Sequence, residues 1–272
     1  MKTKAKEKTA YIIAFLGFLG YSIWWLINFI SGETDTRSHE IYSDSYWVLA
    51  LIGAVFGIFV ARQWGGFKSS FGRALYLFSL GLLAQVFGQV TYTYFAWVQN
   101  VEAPYPSIGD IGYFGSIILY ALGAIVLSRA VGAKFSLASI PQRTVAILLP
   151  AALLVASYAI FLKDYEFTGD KLITFLDFGY PLGQAFYLAI ALFMYVVSFK
   201  LLGGIMKNKI LLLLFALLIQ YLADFLFLYQ YSREEWYPGN FSDYLYQVAY
   251  LMMTLALLWI GSTARKLSSR GA

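Results

Sequence analysis

The sequence predicts an all-α polytopic membrane bundle of eight transmembrane helices, on three observations. Hydrophobic residues make up 60% of the 272, the mean hydropathy is +0.66 and only 13% are charged, more apolar surface than one soluble core hides. Eight charge-poor stretches approach the roughly 20 residues a helix needs to cross hydrocarbon. Between them the charged residues sort by sign. Eight spans with short connections use the whole length, so residues 1–272 read as a single integral membrane domain.

The first span, 10–30, follows Lys2, Lys4, Lys6 and Lys8. Its apolar run is too long for the core of a cleaved leader and no small-residue cleavage site follows, so it reads as a retained signal anchor. The second, 46–61, and the fourth, 111–127, are short. They leave six or seven spans with a re-entrant segment as the alternative. The third, 72–97, the fifth, 145–162, and the sixth, 178–199, have nearly full length, as do the seventh, 210–231, and the eighth, 244–263.

Basic residues stay on the cytoplasmic side, which sets orientation. Sixteen of the 20 fall on one side: the N-terminal four, then Arg62, Lys68, Arg73, Arg129, Lys134, Arg143, Lys200, Lys207, Lys209, Arg265, Lys266 and Arg270. The other side has only Arg37, Lys163, Lys171 and Arg233 but carries Glu33, Asp35, Glu40, Asp44, Glu102, Asp110, Asp164, Glu166, Asp170, Asp177, Glu234, Glu235 and Asp243. The acidic side is therefore expected outside, with both termini cytoplasmic. The net charge of +5 follows from this sorting and calls for anionic lipid, with no nucleic acid as partner.

Asp44, Asp110, Asp177 and Asp243 recur at intervals of 66, 67 and 66 residues, each at the outer start of an even-numbered span and each followed three positions later by Trp47, Tyr113, Tyr180 or Tyr246. The chain reads as four tandem hairpins, or equally as a duplicated four-helix unit with halves at about 10–135 and 143–266. A ring of carboxylates at an outer vestibule is one reading of the four acids. Capping is preferred, because Ser107, Thr174 and Asn240 stand three residues before Asp110, Asp177 and Asp243, the spacing that satisfies free amides at a helix start.

Asp224 is the one acid inside an apolar span, ~21 Å up its helix from the cytoplasmic end. An ionisable group there is costly to insert and is a functional candidate by default. Gln220 lies one turn away, Gln85 and Gln89 lie on the corresponding helix of the other half, and Asn28, Gln184 and Gln247 reach a similar level from their own spans. These seven form the candidate ligand-binding set. The competing reading is that they bond between helices and hold the bundle together. Tyr92, Tyr94, Trp97, Tyr105, Tyr229, Tyr231, Trp236 and Tyr237 suit an interfacial belt.

Catalytic machinery is not visible. The chain has no cysteine and one histidine, His39, among loop acids where solvation is the expected fate; a metal or haem centre is not expected. Lys163, Lys171 and Lys200 sit at span ends, leaving no anchor for a retinal Schiff base. No phosphate loop, serine elbow or metalloprotease helix occurs, so no enzyme and no cofactor are expected.

Two segments carry a resemblance: 88–123, with Tyr105-Pro106-Ser107-Ile108-Gly109-Asp110-Ile111-Gly112-Tyr113, and 223–257, with Ala223-Asp224, Tyr237-Pro238-Gly239 and Asp243-Tyr244-Leu245-Tyr246. They resemble the polytopic N-terminal membrane region of some bacterial diguanylate cyclases, phosphodiesterases and histidine kinases. The resemblance implies a sensory input module of the bacterial inner membrane, although no cyclase or kinase domain follows the last span here. The expected function is a receptor-like module that binds a small or lipidic ligand from outside and acts through a membrane or cytoplasmic partner protein. A small-solute or ion transporter and an accessory subunit of a membrane complex are the alternatives.

Overall fold

The structure, a computed structural model, describes all residues except 1, 35, 102, 131–139, 164, 166, 168, 202, 203 and 269–272. Of the charges used for orientation, Asp35, Glu102, Lys134, Asp164, Glu166 and Arg270 lie outside the described residues. Among the described residues the elements are α1 (Lys2–Ser31), α2 (Arg37–Ser43), α3 (Trp47–Gln63), α4 (Ser70–Tyr94), α5 (Gly109–Ala130), α6 (Ile140–Ser157), α7 (Lys171–Leu201), α8 (Lys207–Tyr231) and α9 (Phe241–Ser268), all helical. Single π turns, Phe95–Gln99 and Tyr158–Leu162, extend α4 and α6, and a 3-10 turn, Gly66–Lys68, precedes α4.

Among the described residues, six stretches are long and apolar enough to cross a membrane: Thr9–Ser31, Arg37–Gln63, Ser70–Gln99, Gly109–Ala130, Lys207–Tyr231 and Phe241–Ala264. They match the first four expected spans and the last two. The short second span gains length because α2 precedes α3 directly. Where the fifth span is expected, the described apolar helix is the shorter Pro150–Leu162. The sixth falls within α7, of which the side chains of 195–201 are outside the described residues.

Six helices close a ring: α3 packs on α4, α4 on α5, α5 on α7, α7 on α8, α8 on α9, and α9 returns to α3. α1 lies outside the ring against α9, α2 and α3, and α6 lies outside against α7. The closest seam joins α4 to α5, where glycines replace side chains. A Cβ on Gly112 would stand 2.5 Å from the Ala84 carbonyl oxygen and 2.7 Å from the Gly88 nitrogen. The ring interior holds Leu75, Phe78, Leu82, Leu127, Leu188, Leu213, Leu217, Met253 and Leu257, all buried. α1 turns Phe15, Leu16, Ile27, Phe29 and Ile30 outward, an apolar face that a bilayer would cover.

Candidate functional site

Helical spacing puts Gln220 and Asp224 on one face of α8, and ring closure puts α7 and α9 on either side. Both residues are buried. One Asp224 carboxylate oxygen accepts from the Tyr246 hydroxyl of α9 at 2.7 Å and from the Gln220 amide nitrogen at 3.3 Å. The other accepts from the Tyr187 hydroxyl of α7 at 3.2 Å. All three donors are neutral.

The network then crosses the ring. Tyr250, one turn beyond Tyr246 and stacked on it with centroids 6.3 Å apart, donates to Gln85 on α4 at 3.3 Å. Gln85 donates to Ser116 on α5 at 2.7 Å. Tyr120 of α5 is buried with its ring over Gly81 of α4 and meets the Tyr187 ring edge-on at 6.2 Å. Tyr46, immediately before α3, stacks on Tyr246 at 6.5 Å and donates to Asp243 at 3.2 Å. Asp224 and Asp243 are thus joined through two adjacent phenols.

Among the described residues, five buried polar atoms lack a hydrogen-bond partner: the Tyr120 hydroxyl, the Gln220 carbonyl oxygen and the Gln89 carbonyl oxygen lie on or near this network, and the Asn28 amide nitrogen and Trp236 indole nitrogen lie away from it. An orphaned buried polar group forfeits about 1–3 kcal/mol of desolvation energy. Such groups mark either a strain reservoir or a site built for something else.

The seven predicted binding residues do not gather in one cleft. Asp224 and Gln220 are together, Gln85 joins them through Tyr250, Gln89 lies one turn from Gln85, and Gln184 is buried on α7 one turn from Tyr187. Gln247 and Asn28 belong elsewhere, because α1 stands outside the ring. Gln247 donates to Ser22 at 2.9 Å and to the Phe18 carbonyl at 3.3 Å, and accepts from Tyr42 at 2.8 Å. Asn28 accepts from Ser38 at 2.7 Å, and Ser38 accepts from Trp24 at 2.8 Å. These two residues tie α1 to the bundle.

The repeated aspartates divide two and two. Asp110 closes a capping box: its carboxylate accepts from the Ser107 amide at 2.7 Å, while the Ser107 hydroxyl accepts from the Gly109 amide at 3.1 Å. Asp243 accepts from the Gly239 amide at 2.7 Å, and Asn240 caps Ser242 at 2.9 Å. The capping reading fails for Asp177, because α7 begins one turn earlier. Asp170 caps it, accepting from Leu172 at 2.7 Å and Ile173 at 3.1 Å, and Thr174 instead bonds back to the Asp170 carbonyl at 2.8 Å. It fails for Asp44 as well, which ends α2 while Thr36 caps that helix.

What all four share is an aromatic donor. Asp44 accepts from the Trp97 indole at 2.7 Å, Asp110 from Tyr180 at 2.6 Å, Asp177 from Tyr105 at 2.6 Å and Tyr165 at 2.9 Å, and Asp243 from Tyr46. Asp110–Tyr180 and Asp177–Tyr105 latch α5 and its approach to α7 in both directions. Asp243–Tyr46, with Ser43 of α2 at 2.8 Å, latches α9 to α2 and to the start of α3. Partial burial and the hydrogen bond to Asp177 raise Tyr105 above the usual phenol range, which keeps it a donor.

His39 is buried, not solvated: its Nδ1 lies 2.8 Å from the Thr36 hydroxyl and its ring packs against Tyr237. Thr36 capping α2 draws it inward. An open depression of about 440 Å³ at the start of α7 is lined by Phe167, Gly169, Asp170, Lys171, Thr174 and Phe175, but its carboxylate is already used as the cap.

Sequence reasoning missed Tyr120, Tyr187 and Tyr250 and read Tyr246 only as part of the repeat. The available signal was depth: a tyrosine near mid-span is too far from the interface for a belt, and its hydroxyl needs a partner in hydrocarbon. No family model, no curated protein and no solved structure matches this chain.

Proposed function

We propose that this chain is a receptor-like module of the cytoplasmic membrane that binds a small ligand at the Asp224 centre and acts through a membrane or cytoplasmic partner protein. In this reading all eight predicted spans cross, the acidic end faces outward and both termini are cytoplasmic. The ring order supports a duplicated unit, with α3, α4 and α5 in one half answering to α7, α8 and α9 in the other. Of the latches, Asp110–Tyr180 and Asp243–Tyr46 occupy matching seams.

One observation carries the proposal: a buried carboxylate with neutral donors, beside buried polar atoms that remain unsatisfied. The helix-tying Asn28 leaves one amide nitrogen open, whereas here the Gln220 oxygen and the Tyr120 hydroxyl are both open beside a buried carboxylate, which supports a site that takes up a further group. The resemblance of 88–123 and 223–257 to bacterial sensor membrane regions agrees with it, since those segments supply Asp110, Tyr120, Asp224 and Tyr246.

The test is transmission without flux. In liposomes, Tyr46→Phe, which breaks a latch at the acidic end, is expected to change amide exchange at the Gly66–Lys68 turn at the basic end. No solute accumulation dependent on Asp224 is expected. Changes confined to the acidic end would contradict a relay, and uptake abolished by Asp224→Asn would replace the receptor with a transporter.

A further inference from the structure

We infer that the species completing the Asp224 centre is a small monovalent cation, an inference that rests on the receptor reading of the same site and names its ligand class. Three donors from three helices converge on the carboxylate, the arrangement that suits an ionised, acceptor-only group. Neutral donors do not cancel its charge, and an isolated buried charge is costly unless a counter-charge accompanies it.

The orphaned Gln220 oxygen gives the sign independently. Because the Gln220 amide nitrogen faces the carboxylate, its oxygen is fixed as an acceptor, and that oxygen is buried without a partner. The Tyr120 hydroxyl, equally buried and unpartnered, offers lone pairs from α5. What is missing is therefore a donor or a cation, and the uncompensated carboxylate selects the cation. One carboxylate with neutral oxygens balances one positive charge. Divalent ions favour several carboxylates, and among the described residues no group of three His, Cys, Asp or Glu could hold a metal.

The purified full chain in detergent tests this by thermal unfolding in lithium, sodium, potassium or ammonium chloride, against N-methylglucamine chloride at equal ionic strength. At least one small cation is expected to raise the midpoint saturably, since a ligand that binds only the folded state stabilises it. The shift is expected to vanish in Asp224→Asn and to need about tenfold more salt in Tyr120→Phe, which removes an unsatisfied oxygen and should fold as well as wild type. Equal midpoints in all salts would overturn the inference, as would a shift that Asp224→Asn retains or stabilisation that follows acidification alone. A cation shift with no effect at the basic end would keep the site and sink the receptor.

Discussion

Asp224 is held by donors that can be removed one at a time. Tyr246→Phe deletes the shortest of them, the 2.7 Å bond, and leaves a buried carboxylate short of a partner. A loss of about 1–3 kcal/mol is expected by denaturant unfolding in micelles. Tyr120→Phe in N-methylglucamine salt removes a hydroxyl that bonds to nothing, and is expected to be neutral or stabilising. Equal losses in the two variants would mean that Tyr120 has a partner after all. Asp224 and Gln220 were legible in the sequence because an acid and an amide one turn apart stand out in an apolar span. Tyr187 and Tyr120 were not: depth in their spans separates them from belt tyrosines, but only the three-dimensional ring tells which hydroxyl meets a carboxylate.

Helix elements are joined at their acidic ends by carboxylate–aromatic latches, and a double-mutant cycle isolates one. Asp110→Asn with Tyr180→Phe is expected to show a coupling of about 0.5–3 kcal/mol, across a bond of 2.6 Å; zero coupling would reduce Asp110 to its cap. The α4–α5 seam makes a second prediction. Gly112→Leu drives a side chain into the backbone of α4 and is expected to destabilise by about 1–3 kcal/mol or more. Gly115→Ala, on the same helix with open space around it, is expected to be neutral or to stabilise by up to about 1 kcal/mol. Caps at Asp110 and Asp243 were legible from Ser107 and Asn240 at the right spacing. Asp177 was misread because Thr174 has the same spacing, while Asp170, a stronger acceptor four residues earlier, starts the helix first. A period of 66 or 67 residues thus marks a shared contact with aromatic donors in all four places and a shared cap in only two.

At the scale of the whole molecule, apolar length and charge sorting made the helical membrane class legible. Closure of α9 on α3 was not, since residues about 200 positions apart, such as Gly53 and Thr254, leave no local pattern. Being free of cysteine, the chain suits single-cysteine labelling with an impermeant maleimide. Ile108→Cys is expected to label from outside intact cells and Phe67→Cys only after permeabilisation; both positions are exposed, at opposite ends of the ring. Phe167→Cys, between α6 and α7 and also exposed, separates eight spans from six. Labelling from outside supports eight, because α6 must then cross.

The centre is most directly tested by hydrogen exchange of the liposome-embedded protein, wild type against Asp224→Asn, read at the basic end of the ring. Altered protection is expected at the Gly66–Lys68 turn, reached through the packed ring from a residue that does not touch it. Altered protection only in the segments of α7, α8 and α9 that bear Tyr187, Asp224 and Tyr246 would contradict a relay, leaving Asp224 a local structural bond.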